Sequence, residues 1–192
     1  MNAVDCLKKK IADIIKKSHV PEDPVHAKNT LEWLLKLMPD ADEALKIAAL
    51  GHDIERTNEG RKVRRKDYES YDDFKKAHAS NSANILKKIM EECNVKKELV
   101  NDVFFLVAHH ETGGSKRVDV LSHADTISFF HVNLSYYFTR NSVEETKKRC
   151  LWGYKKLPDN LKRVIVEFHY QDGELESLIR TWITDKDKLG QG

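Results

Sequence analysis

An all-α fold is predicted for this chain of 192 residues by three observations. Apolar residues recur three and four apart along nearly the whole length, which is the period of one helical face. Only 4 Pro and 8 Gly interrupt that pattern, too few for a loop-rich β-fold. Asp and Ser stand where helices should open, twice with Glu three residues on, as a capping box requires.

The elements follow in order. Val4, Leu7, Ile11, Ile14 and Ile15 place a first, Lys-rich helix. Pro21 and Pro24 break the chain, and Pro24 suits the first turn of a second helix that carries Leu31, Leu34, Leu35 and Leu37 and stops before Pro39. Asp40 with Glu43 predicts the start of a third, from Ala41 to about Arg56, rich in Ala, Leu and Ile and so touched on several sides. Residues 57–70 are charged, hold a Gly and lack an apolar stripe, which predicts a surface loop. Tyr71 or Asp72 opens a helix with Phe74, Ala77, His78, Asn81, Ile85, Leu86 and Ile89 on one face. The next runs from about Lys96 to His110 and ends at Gly113-Gly114. Residues 118–139 predict one long apolar helix. Asn141 or Ser142 caps another, and Pro158 starts the last, which reaches about Thr184 before a frayed 185–192. No repeat or internal linker divides the chain. A single domain over 1–192 is expected, with a core over about 24–135 and C-terminal helices over 143–184 packing on it.

Composition removes several classes. Lys and Arg number 33 against 31 Asp and Glu, a net charge of +2. That balance argues against a dedicated DNA-coating protein, and nucleic acid is not a favoured partner. The longest apolar run, Phe104 to Ala108, is far short of a membrane span. MNAVDCLKKK leads into no apolar secretory core, so a cytoplasmic location is expected. Cys6, Cys93 and Cys150 are odd in number and scattered, which predicts three isolated thiols rather than a disulfide framework.

The histidines carry the chemistry. His26 lies early on a helix. His52-Asp53 end an apolar helix in AALGHDIER, His78 lies on the apolar side of KAHASNSANIL, and His109-His110 end FFLVAHHETGG. Asp125 sits inside LSHADTISFF. Burying imidazole or carboxylate is costly unless the group is paired or bound to metal. At least six such residues fall at apolar positions on five helices. A metal centre between helices answers that cost for all of them together, because neutral imidazole and carboxylate are what divalent transition metals take.

The ordered set His26, His52-Asp53 and Asp125 resembles the HD superfamily of metal-dependent phosphohydrolases, over roughly residues 24–135. The resemblance implies a helical HD-domain bundle in which these four hold one metal. His78 and His109-His110-Glu111 look like the additional ligands of binuclear members, including the cyclic-nucleotide and HD-GYP phosphodiesterases. It thereby implies a second ion held by His78, His109 and His110, with Asp53 bridging and Mn, Fe, Co, Ni or Mg as the metal. Arg56 stands where HD-GYP proteins carry Lys. The GYP tripeptide is replaced by TGGSKRVD, which speaks against cyclic di-guanylate. The implied reaction is hydrolysis of a phosphoester, of a nucleotide or another small phosphorylated molecule, by hydroxide that the metals activate, with Asp53 and Arg56 as catalytic residues. A nucleotide- or nucleic-acid-sensing protein on the same scaffold is one alternative. A binuclear-iron oxygenase, a chemistry some HD proteins perform, is another.

Between Arg61 and Lys66 five of six residues are cationic. Such a run is either a solvated face or a loop that closes over the metal mouth and binds phosphate through Arg56, Arg64 and Arg65. Tyr68 would stack on a base.

Overall fold

The computed structural model describes residues 2–189, with side chains through residue 184. It is all-α: ten α-helices, two short 3₁₀ turns and one π-turn, and no strand among the described residues. None of these helices is long and apolar enough to cross a membrane. The helices form two compact units, Met1–Asp125 and Thr126–Gly192.

In the first unit, α1 (Ala3–Ile15) is capped by Asn2, whose side chain accepts from Asp5 N. Helix α2 (Asp23–Leu37) has Pro24 in its first turn and stops before Pro39. Helix α3 (Glu43–Gly51) packs against both α2 and α5. Its small residues Ala44, Ala48 and Ala49, all buried, let it lie between them. Helix α4 (Tyr71–Glu92) opens on the Ser70 cap and forms an antiparallel pair with α5 (Lys97–His109). Asn94, at φ 54°, turns the chain between them. Gly113 and Gly114, at φ 71° and 116°, release the chain from the end of α5, as Gly does beyond a helix C-terminus. Helix α6 (Lys116–Ser128) then delivers Asp125. Leu7, Ile11, Leu34, Leu45, Ile47, Leu86, Met90, Val103 and Leu106 fill the core beneath the site.

In the second unit a π-turn over Phe129–Asn133 leads into α7 (Leu134–Arg140). Ser142 caps α8 (Val143–Lys156) by accepting from Glu145 N. Helices α9 (Asp159–Val166) and α10 (Gly173–Leu189) complete it. The Tyr170 hydroxyl donates to Phe130 O at 3.0 Å, and the Arg149 guanidinium lies 3.8 Å from the centre of the Phe129 ring.

Four expectations are corrected. The cap of α3 is Asp42, which accepts from Leu45 N, and the helix ends at Gly51 rather than continuing to Arg56. His52 and Asp53 therefore lie at a break, followed by a 3₁₀ turn over Ile54–Thr57. The last helix is two, because the Asp172 carboxylate accepts from Glu174 N and Leu175 N and starts α10 afresh. Cys6 and Cys93 are not isolated thiols but a disulfide, since α1 and α4 bring their Cα atoms to 5.9 Å; only Cys150 is free, and it is buried. The loop over 57–70 contains a second 3₁₀ turn, Arg65–Asp67. Of the fraying expected at 185–192, residues 190–192 lie outside the described residues, and 185–189 are helical backbone.

Gly51, next to His52, sets the approach of α3 to α4: a Cβ there would stand 2.9 Å from Leu86 Cδ2. Leu86 is itself buried. Gly51→Val is expected to destabilise the fold by about 2 kcal/mol through overpacking, measured as a lower urea midpoint. Unchanged stability would mean that α3 and α4 can separate freely.

Candidate metal centre

Two histidines owe their position to the way their helices end. His52 is the C-cap of α3 and His110 the C-cap of α5. The last carbonyls of a helix lack intrahelical donors. Each ring supplies one: His52 Nδ1–H donates to Ala49 O at 3.0 Å, and His110 Nδ1–H donates to Val107 O at 2.7 Å. A carbonyl only accepts, so the proton is on Nδ1 and Nε2 is left bare on the opposite side of the ring. His78, on α4, is set the same way by a carboxylate, with Nδ1 2.7 Å from Glu55 Oε1.

These Nε2 atoms converge with that of His26. His26 Nε2 and His52 Nε2 stand 3.2 Å apart. Asp125 Oδ1 lies 3.1 Å from the former and 3.3 Å from the latter. Asp53 stands between two groups: its Oδ2 is 3.6 Å from His26 Nε2, while its Oδ1 is 3.7 Å from His52 Nε2 and 2.8 Å from His78 Nε2. The four rings form a chain, with His52 and His110 centroids at 5.2 Å and His78 and His110 at 6.0 Å. His110 Nε2 is buried and has no hydrogen-bond partner; Glu111 Oε1 is 3.5 Å away. Among the described residues, three sets of potential ligand atoms lie within 4.8 Å of one another: His26, His52 and Asp125; Asp53, His78 and His110; and His110, Glu111 and Asp125.

These separations fit a metal. Bonds of about 2.0–2.2 Å at angles between 90° and tetrahedral put neighbouring ligand atoms about 3.0–3.5 Å apart. Without a cation, by contrast, lone pairs face lone pairs, and an orphaned buried nitrogen costs free energy. Protons stand in where the metal would be. Burial works against charge on His52, but the Asp53 and Asp125 carboxylates overcome it and push the ring up to about 9. Burial likewise opposes charge on Asp53 and Asp125, yet His52 holds both well below the usual carboxylate range, helped by Arg56 at Asp53 and by His26 at Asp125.

The family comparison adds one fact to this geometry. A family described as "Domain of unknown function (DUF4202)" matches residues 1–179. The chain belongs to that family. No curated protein and no solved structure matches it.

Within this DUF4202 chain the sequence-derived ligands His26, His52, Asp53, His78, His110 and Asp125 come together, and His109 does not. His109 is the last residue of α5, exposed, with its ring edge-on to Phe105 at 4.6 Å. Neighbouring helical residues point about 100° apart, and the C-cap bond commits the inward place to His110. Arg56 has one nitrogen 2.9 Å from Asp53 Oδ2 and another 3.2 Å from the buried Asp23 Oδ1. Arg64 and Arg65 are exposed on the loop, and Arg65 donates to the Tyr68 and Glu69 carbonyls. The Tyr68 ring packs 6.1 Å from Phe74, whose own ring is 6.5 Å from His78.

Sequence reasoning missed Glu55, Asp23 and Lys75 among the groups that hold the ligands. Glu55 and Asp23 are buried carboxylates, and Glu111, singled out in the sequence beside His110, is a third that pairs with Lys75 of α4. A signal existed for Lys75: it lies one turn before His78 on the same helix, so both share a face.

Metal uptake must displace the His52 proton. Because His52 titrates near 9 in the metal-free protein, Co²⁺ affinity is expected to rise about tenfold per pH unit as pH climbs toward 9 and then level off. Calorimetry in buffers of different ionisation enthalpy would count the released proton; affinity independent of pH between 6 and 8 would contradict the assignment. Asp125→Ala is expected to abolish binding at the His26–His52 group while far-UV circular dichroism stays helical. Full metal content in that variant would exclude Asp125 as a ligand.

Proposed function

We propose that this protein is a metal-dependent phosphohydrolase of the HD type, acting on a phosphoester of a nucleotide or another small phosphorylated molecule. One observation carries the reading: Asp53 presents its two oxygens to two histidine groups at once, Oδ2 toward His26 and Oδ1 toward His52 and His78. A carboxylate so placed suits a bridge between two ions. His26, His52, Asp53 and Asp125 would hold the first, and Asp53, His78 and His110 the second. The imidazole-rich donor set favours Mn, Fe, Co or Ni over Mg, which prefers oxygen ligands. When bound, such ions acidify a water and neutralise charge on phosphoryl oxygens.

The chain's own residues do the rest. Arg56 holds Asp53 in place from the side opposite His78, anchored in turn by Asp23. It acts on the reaction by orienting that carboxylate and by adding positive charge beside it. Arg64, exposed near the start of the second 3₁₀ turn, is a cation for distal phosphates. Arg65 shapes the loop by binding the carbonyls of residues 68 and 69. Tyr68, partly exposed beside Phe74, offers a face for a base.

Elemental analysis with a phosphatase and phosphodiesterase panel in Mn²⁺, Co²⁺ or Ni²⁺ tests the proposal. About two ions per chain and turnover of at least one phosphoester class are expected. Two bound ions with no hydrolysis across the panel would remove the hydrolytic reading. Replacing Arg64 and Arg65 together by Gln is expected to raise KM several-fold for substrates with more than one phosphate and to leave small chromogenic monoesters nearly unchanged. Equal effects on both would make the loop a solvated face.

A further inference from the structure

We propose that Glu55 is a positioning residue that couples the basic loop to the second ligand group, so that loop order and metal occupancy at Asp53, His78 and His110 rise together. The inference rests on the metal-site reading above and needs no particular substrate.

Glu55 is 1% exposed, in the 3₁₀ turn that follows Asp53. Its two oxygens serve different masters. Oε1 accepts from His78 Nδ1 at 2.7 Å and so sets the ring with Nε2 toward Asp53. Oε2 accepts from Val63 N at 3.0 Å and from Asn81 Nδ2 at 2.6 Å. The same Asn81 nitrogen donates its other hydrogen to Arg61 O at 2.6 Å. The loop is thus pinned at residues 61 and 63, on either side of Lys62, by the carboxylate that orients a metal ligand.

A carboxylate is rigid and planar. Moving the segment 61–63 drags Oε2, and Oε1 must turn with it, taking the His78 ring out of line. Freed of the loop, the buried Oε2 would lose the Val63 N–H and with it the contact that fixes the carboxylate's rotation, so that His78 is no longer held in line. Coupling of this kind is reciprocal: whatever holds the loop favours the second ion, and the second ion favours the ordered loop by the same factor. The loop's cations lie on the far side of the pin, at Arg64, Arg65 and Lys66. A polyanion gathered by them would therefore also strengthen the second metal group.

The loop reports on itself, since Arg61, Lys62, Arg64, Arg65 and Lys66 are all trypsin sites. Co²⁺ titration, followed by visible absorbance, is combined with tryptic cleavage rates within 61–66. In the parent protein, cleavage is expected to slow several-fold with the second equivalent of Co²⁺ and hardly at all with the first. Asn81→Ala keeps the Glu55–His78 contact and the Val63 N–H bond to Glu55 but cuts the second tie to the loop, at Arg61 O, and takes the Asn81 donor from Oε2 with it. It should speed cleavage and weaken the second Co²⁺ several-fold, leaving the first unchanged. Glu55→Gln should weaken the second Co²⁺ by about 10–100-fold, as loss of a ligand's supporting partner does, and make cleavage insensitive to metal. If Glu55→Gln fails to fold, Asn81→Ala carries the test. Two bound Co²⁺ with cleavage indifferent to the second, or a loosened loop with unchanged second-site affinity, would overturn the coupling and leave the metal site standing. Fewer than two Co²⁺ in the parent protein would overturn both the coupling and the second ion, and leave the His26–His52–Asp125 group standing.

Discussion

Everything in the first unit is arranged around one electrostatic problem. Four imidazoles and two carboxylates from α2, α3, α4, α5 and α6, with the break after α3, turn acceptor atoms toward a common centre, away from water. Acceptors at 3.1–3.7 Å repel unless a cation lies among them. The tautomers sharpen the problem. Because His52 and His110 spend their Nδ1 protons on helix-end carbonyls, neither ring while neutral can relieve the centre by turning a donor inward without losing that bond. A divalent ion, or in its absence a retained proton, is what makes the core tolerable.

The surrounding residues form a graded second ring of charge. Arg56 faces Asp53 and Asp23, Lys75 faces Glu111, and Glu55 faces His78. Each pair places a cation or a donor behind a group that would otherwise be a bare buried charge. Asp23 shows the cost where the compensation is weaker: burial raises it above the usual carboxylate range despite Arg56 and the Ser18 hydroxyl. The arrangement also explains why Arg56, prominent in the sequence, is a support for Asp53 before it is anything else.

Much of the fold was legible in the sequence, because helix signals are local. The cap at Ser142, the opening of α4 at Tyr71, the Pro in the first turn of α2, the Gly pair after α5 and the long helical run ending near Arg140 follow from residues a few positions apart. Some of the errors were also local in kind. Asp40 and Asp42 are both acceptable caps, and only the packing of α3 selects Asp42. Six of the seven candidate ligands come together in the structure, and polar residues at apolar positions were the signal for them. His109 and His110 could not be separated that way, since both follow the same apolar stretch and the choice depends on which one closes the helix end.

The sequence by itself determined that this chain is helical, that its acid and imidazole groups lie on buried faces, and that no local motif pairs its cysteines. Tertiary structure alone decided which groups meet. Cys6 and Cys93 are 87 residues apart and bond because α1 crosses α4. Glu55 holds a histidine 23 positions away and a loop amide 8 positions away. Period and propensity report on the face a side chain occupies, and they carry no information about which distant face it will find. That is settled by helix packing, where the burial of an acceptor is acceptable only if a donor or a cation arrives from another part of the chain.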